Sequence, residues 1–378
     1  MPTAQHFRTL HRMLLVVVLI LLSYQVQASP NTTHPEDASS SAEKAADALE
    51  SLMTWYNSTT GRWGNDSVVP WWLSGNALQA TLDYMDKTGS REYMWDAKNT
   101  IAIQRAPLTW WPEGEGDFRA DSTDDTGWWA LANVKMYSLT GDEQYLTIAK
   151  EDEAYMYSYR DNGTCGGGIL WDIPTKTYNN AISNELYLLL AISIHNSIPG
   201  DTYYLGQATR EWNFFKNSGM INNASLVNDG LTETNNSCIN NNGITWTYNQ
   251  GVILGGLTEL YKATGEYGFI LTARSIADAV IASPLLTQNG ILTETCESDG
   301  TCDSNGPAYK GIFVRYLSQL NGVLPNRPYS SFLSAQVVSM YNLDRNGTDF
   351  YGLHWAGPLD DVDIATQTSA VSLLTAVL

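Results

Sequence analysis

The sequence predicts an all-α fold, an (α/α)6 toroid of six helical hairpins. Three observations predict it. A helix–Gly–helix pattern recurs four times, the helices alternate between apolar on several faces and charged on one, and nothing alternates with period two for long.

The recurring pattern comes first. A helical run ends at Gly89 and Ser90-Arg-Glu-Tyr-Met-Trp-Asp-Ala97 begins another. The same happens at Gly141 before Asp142-Glu-Gln-Tyr-Leu-Thr-Ile-Ala149, and at Gly200 before Asp201-Thr-Tyr-Tyr-Leu-Gly-Gln-Ala208. Gly265 before Glu266-Tyr-Gly-Phe-Ile-Leu-Thr-Ala273 is the fourth copy. Glycine stops a helix cheaply, and an acidic or Ser/Thr residue starts the next. One copy is ordinary punctuation. Four, roughly fifty to sixty-five residues apart, argue for repeated hairpins.

Extending the pattern predicts twelve helices, near residues 43–56, 71–88, 91–104, 124–140, 142–158, 180–196, 201–217, 247–264, 266–282, 307–321, 329–342 and 363–377. Those beginning near 71, 124, 180, 247, 307 and 363 carry small and apolar residues on several faces, as in Gly251-Val-Ile-Leu-Gly-Gly-Leu257. Such helices belong inside, and the charged-faced ones outside.

Around this frame, Arg8 and Arg12, the apolar run Met13–Leu22 and Val26-Gln27-Ala28 have the layout of a secretory signal peptide over residues 1–28. The run is too short for a membrane span. Ser-, Thr- and Pro-rich residues 29–42 read as a disordered arm, and residues 43–378 as a single catalytic domain. At the far end, three aspartates lead directly into an amphipathic helix, so no lipid anchor is expected. The formal charge is −19, and loss of the leader's two arginines makes it two units more negative. That repels phosphate backbones and argues against a nucleic-acid partner. The expected protein is a secreted or cell-wall monomer without a stable membrane anchor.

Cys165, Cys238, Cys296 and Cys302 suit an oxidising compartment. Four cysteines allow three pairings, and sequence alone does not choose. The short Cys296–Cys302 loop could close on itself, leaving Cys165 to meet Cys238. Sequons at Asn31, Asn57, Asn65, Asn162, Asn223, Asn235 and Asn346 agree with a glycosylating route. No histidine lies near a cysteine, the histidines are scattered, and neither a phosphate loop nor a G-x-S-x-G elbow occurs. No metal or other cofactor is expected.

In a ring of hairpins the inner helices' N-termini gather at one mouth. Here they bring Trp71-Trp72, Asp124-Asp125, Asn179-Asn180, Tyr248-Asn249-Gln250, Tyr309-Lys310 and Thr366-Gln367. Aromatics, amides and carboxylates at one mouth describe a cleft for a polar ligand. Either aspartate alone reads as a helix cap. The pair, on an inner helix and flanked by Trp110-Trp111 and Trp128-Trp129, reads as two catalytic carboxylates. One ionised and one protonated carboxyl cleave an acetal. The helix N-terminus holds one charge while the neighbour raises the other's pKa. Thirteen tryptophans supply faces for sugar rings, although more than half of the aromatics are expected to be core.

These residues resemble glycoside hydrolase family 76, the α-1,6-mannanases and their fungal cell-wall relatives. The matching pieces are Asp124-Asp-Thr-Gly-Trp-Trp-Ala-Leu-Ala132, Gly166-Gly-Gly-Ile-Leu-Trp-Asp172, Asn180-Ala-Ile-Ser-Asn-Glu185, Thr245-Trp-Thr-Tyr-Asn-Gln-Gly251 and Lys310-Gly-Ile-Phe-Val-Arg-Tyr-Leu317. The resemblance implies the same toroid and a retaining attack on internal α-1,6-mannosidic links of mannan. It implies Asp124 as nucleophile and Asp125 as acid/base. Trp72, Trp128, Trp129, Asn180, Trp246, Tyr248, Asn249, Gln250 and Lys310 are the expected substrate contacts. Tyr309 stands where many members carry Phe. The alternatives are a wall transglycosylase acting on mannose-containing glycans and a non-catalytic mannan-binding protein.

Overall fold

The computed structural model describes residues 35–64 and 69–378. Twelve long helices form among them, with bounds close to those expected. They are α1 (Pro35–Met53), α2 (Trp71–Thr88), α3 (Met94–Gln104), α4 (Thr123–Thr140), α5 (Glu143–Ser158), α6 (Ala181–Ser197), α7 (Tyr203–Ser218), α8 (Thr247–Thr264), α9 (Tyr267–Ala282), α10 (Tyr309–Val323), α11 (Ser330–Leu343) and α12 (Ile364–Ala376). The first departs most. It begins at Pro35, so residues 35–42 of the expected arm are helical. A proline at the first helical position followed by Glu36 and Asp37 is itself a start signal. The rest of the arm and the expected leader lie outside the described residues.

Residues 40–378 pack as one compact unit. The even-numbered helices make the inner ring: each packs on the next, and α12 packs back on α2 to close it. Their buried faces extend nearly all round, as in α6, where every residue from Ala181 to Ile192 is buried. The outer helices bury only one stripe, as α9 does with Ile270, Ala273, Ile276, Ala277 and Val280. Hairpin ends at Gly89, Gly141 and Gly265 have left-handed φ of 74°, 70° and 72°, which glycine adopts without a Cβ penalty.

Small residues let the inner helices approach. A Cβ on Gly251 would lie 2.6 Å from the Phe313 Cα, and one on Gly311 would lie 2.4 Å from the Ser369 Cα. Three short two-stranded hairpins, Tyr56–Asn57 with Arg62–Trp63, Leu231–Thr234 with Ser237–Asn240, and Thr287–Gln288 with Ile291–Leu292, sit in the connections. Both disulfides form, Cys165–Cys238 and Cys296–Cys302. Among the described residues no helix is long and apolar enough to cross a membrane. Four sequon asparagines, Asn57, Asn162, Asn223 and Asn235, are exposed, and Asn346 is half-buried.

Candidate active site

The N-terminal ends of five inner helices, α2, α4, α6, α8 and α10, and their loops enclose a cleft of about 500 Å³ at one mouth of the ring. Asp124 and Asp125 occupy the first turn of α4 on its floor, half-buried. Helix geometry sets what accompanies them: residues three and four apart share a face, so Trp128 lines the cleft with the pair. Trp129, one residue on, points away. It is fully buried and stacks on Trp71 at 5.0 Å and Phe118 at 5.0 Å.

The two carboxyls differ. Burial, the chief cause, raises Asp124 to about 6, although donors from the Asp125 backbone, Ser122 and Trp171 favour its ionised form. The Asp125 amide donates to Asp124 Oδ1 at 3.0 Å. Asp125 is raised well above the usual range, first by burial and then by the charges of Asp124 and Asp121. Proton and charge therefore divide unequally: Asp125 keeps the proton at a pH where Asp124 is ionised.

From Trp128 an aromatic wall continues along the cleft. Trp72 stacks on Trp128 at 5.7 Å and reaches Tyr309 at 6.4 Å, and Tyr309 lies against Tyr248 at 4.0 Å and 11°. Trp246 meets Tyr309 edge-on at 5.5 Å. Trp72 Nε1 donates to Asn305 Oδ1 at 2.8 Å, and Asp303 receives the Asn305 amide at 2.9 Å. The Cys296–Cys302 bridge holds this segment close: a Cβ on Gly306 would sit 3.2 Å from Cys296 Sγ.

Asp229 also lines the cleft, accepting from the Tyr178 hydroxyl and the Trp246 indole. Its loop is fixed by the Ala181 amide on the Asp229 carbonyl at 2.7 Å and, further on, by the Cys165–Cys238 bridge. Five carboxylates (Asp121, Asp124, Asp125, Asp172 and Asp229) line the cavity, and no Lys, Arg or His is among its lining residues.

Of the expected site residues, Asp124, Asp125, Trp72, Trp128, Asn180, Trp246 and Tyr248 line the cleft. Asn180 also caps α6, accepting from the Ser183 amide at 3.1 Å. Four expected contacts do not line it. Trp129 is core, as above. Asn249 is wholly buried on the interior side of α8, rotated away from Tyr248. Gln250 is spent on backbone, donating to the Val227 carbonyl at 2.8 Å and accepting the Val227 amide at 2.7 Å. Lys310 is buried in an ion pair with Glu297 at 2.6 Å and donates to the Leu353 carbonyl at 2.6 Å. All four stand near the expected helix starts, but Gln250 and Lys310 hold backbone, and Trp129 and Asn249 face the interior.

Sequence reasoning also left Ser122, Trp171, Asp172, Tyr178, Asp229, Asn305, Tyr309 and Asp121 outside the candidate set, although all line the cleft. Most lie in irregular connections, where Asp, Asn and Ser look like turn residues. Asp121, beside the pair, and Tyr309, at a helix start, carried a positional signal, and Trp171-Asp172 lay in a piece resembling the family.

The sequence profile of glycosyl hydrolase family 76 matches residues 40–378. The chain belongs to this family. Within family 76, it is 27% identical over 346 residues to mannan endo-1,6-alpha-mannosidase DFG5 of Saccharomyces cerevisiae, covering 85% of this chain and 73% of that one. The GH76A alpha-1,6-mannanase of Salegentibacter sp. HEL1_6 superposes with a TM-score of 0.79 at 26% identity, covering 89% of this chain and 98% of that one. An inactive variant of that mannanase, with two consecutive aspartates replaced by asparagine, has been solved with alpha-1,6-mannotriose; it matches at 25% identity, a TM-score of 0.80 and the same coverage. This family 76 chain is thus a glycoside hydrolase built as a helical toroid.

Proposed function

We propose that the protein is a secreted retaining endo-glycosidase that hydrolyses α-1,6-mannosidic links in mannan. The single observation that carries the reading is the unequal pair: an adjacent ionisable Asp124 and proton-retaining Asp125 on the floor of an aromatic-walled cleft. The inactivity of the Salegentibacter variant lacking two consecutive aspartates supports it.

In this reading Asp124 attacks the anomeric carbon as carboxylate, forming a glycosyl ester as the bond to the leaving oxygen breaks. Asp125 gives that oxygen its proton. Asp125 then takes a proton from water, whose oxygen displaces Asp124 and restores both groups. Trp72, Trp128, Tyr248 and Tyr309 offer apolar faces to sugar rings, while Asp229, Asn180 and Asn305 meet hydroxyls.

A neutral polymer is the substrate expected of a cleft whose charges are all negative. The leader-like N-terminus, seven sequons and two disulfides support secretion to the exterior or wall as a glycosylated monomer. Water is proposed as the main acceptor, with sugar acceptors, and hence transglycosylation, secondary. Asp124→Asn and Asp125→Asn should each remove nearly all release of mannooligosaccharides from linear α-1,6-mannan while the circular-dichroism melt stays cooperative. Full activity in either folded variant would sink the assignment. Products longer than the starting oligomer, dominant from the earliest times, would make transfer the principal activity.

A further inference from the structure

We infer that Trp110 is a distal sugar-binding platform outside the cleft, which makes the enzyme favour long chains over short ones. The inference rests on the mannan-cleaving reading above. Three tryptophans are strongly exposed: Trp95, Trp110 and Trp171. Trp171 already lines the cleft, and Trp95 begins the outer helix α3, which runs antiparallel to the inner ring and so starts at the far end. Trp110 is different. It is 49% exposed, and it lies on the connection from α3 to α4 that ends in the cleft residues Asp121 and Ser122.

The connection is fastened, so the exposed ring is held in one place. Arg105 and Asp117 pair at 2.7 Å across its base. Leu108 and Trp111 form a bridge, and Trp111 Nε1 donates to the Tyr155 hydroxyl at 3.0 Å. That hydroxyl donates in turn to the Ala120 carbonyl at 2.9 Å. Phe118 is wholly buried against Trp129. Trp110 itself meets Trp71 at a steep angle, centroids 5.8 Å apart and planes 76° from parallel, and about half of it stays open to solvent. Trp71 in turn adjoins Trp72, the end of the aromatic wall.

A rigid, exposed indole loses little freedom on binding, and this lowers the cost of each contact. Its large apolar face and polar N–H edge match a pyranose with one C–H face and hydroxyls at the rim. The neighbouring Glu113 and Glu115 are exposed and acidic, which suits a neutral glycan and repels an anionic one. Neither Trp110 nor Trp71 lines the 500 Å³ cavity; Trp110 lies beyond Trp71, the neighbour of the lining residue Trp72. Only a chain that overruns the cleft reaches it.

The test compares Trp110→Ala with wild type on linear α-1,6-mannotriose and on α-1,6-mannan of high length. The expected result is a rise in KM for the long chain, roughly three- to tenfold relative to the change for the trisaccharide, with kcat little altered. Equal changes for both lengths, or none, overturn the proposal. Binding to the Asp124→Asn protein, with and without Trp110→Ala, is measured calorimetrically in parallel. If wild type binds both glycans but cleaves neither, the catalytic reading fails, and the length dependence of binding still decides the role of Trp110. Binding of neither glycan overturns both.

Discussion

Cleavage should depend on pH in a way fixed by the unequal carboxyl pair. In the proposed mechanism Asp124 attacks as the carboxylate and must be ionised, and burial holds it at about 6 instead of the usual carboxylate value. Below that point each pH unit removes a factor of ten in ionised nucleophile, about 1.4 kcal/mol. At pH 5, kcat/KM on α-1,6-mannotetraose should therefore be about a tenth of its plateau. The alkaline limb belongs to Asp125, raised by burial and then by Asp124 and Asp121. The charge of Asp121 raises Asp125, whereas burial and hydrogen bonds are the leading causes at Asp124, so Asp121→Asn should move the limbs unequally. The alkaline limb should come down in pH while the acid limb stays near its wild-type position. Since the pair titrates jointly, the limbs report the pair's apparent values. Initial rates by reducing-end assay from pH 4 to 10 at constant ionic strength are sufficient. Activity undiminished between pH 6 and 4, or an Asp121→Asn profile displaced as a whole toward alkali, would refute the division of roles.

Loss of the Cys165–Cys238 bridge, which closes 73 residues, should cost about 4 kcal/mol, and loss of Cys296–Cys302, which closes 6, about 2 kcal/mol; chemical denaturation of the paired Cys→Ala variants measures both. The smaller loss should nevertheless raise KM more, because that bridge holds the segment carrying Asn305 and Tyr309. Asp152 and Glu185 are wholly buried, with no hydrogen-bond partner for their carboxyl oxygens, and burial raises both well above the usual range. Their neutral forms fit the fold while the unfolded chain ionises them, so stability is full below the ordinary carboxylate range and is lost as pH rises through the folded values. The melting temperature should therefore fall from pH 5 to pH 8, and Asp152→Asn with Glu185→Gln should flatten that slope; a melting temperature that rises over this range contradicts the argument. Trp129→Ala should cost about 3–5 kcal/mol in a denaturant melt, as a large core truncation does, whereas Trp128→Ala should show mainly in KM; the reverse pattern would mean that their faces are misassigned.

The helices were legible in the sequence because each carries its own signals. Periodicity, a glycine stop and an acidic start act within a few residues, so Gly141 with Asp142 and Gly265 with Glu266 punctuate the chain whatever packs around them. The Asp124-Asp125 pair was legible for a related reason: two carboxylates at the start of an apolar helix have few local explanations. Closure of the ring, α12 onto α2, joins residues at opposite ends of the chain, and no local pattern encodes it. The side on which each mouth residue points was likewise settled by packing. Adjacent helical positions diverge by about 100°, so Trp128 faces the cleft and Trp129 the core, and Tyr248 the cleft and Asn249 the interior. Lys310 could have met a ligand, until Glu297, from a disulfide-closed loop, took its charge. Asp229 and Asn305 read as turn residues in one dimension and become cleft walls only when two disulfides and long-range hydrogen bonds bring their loops over the mouth. Local sequence determined which segments are helices and where the carboxylates stand; contacts between distant segments decided what surrounds them.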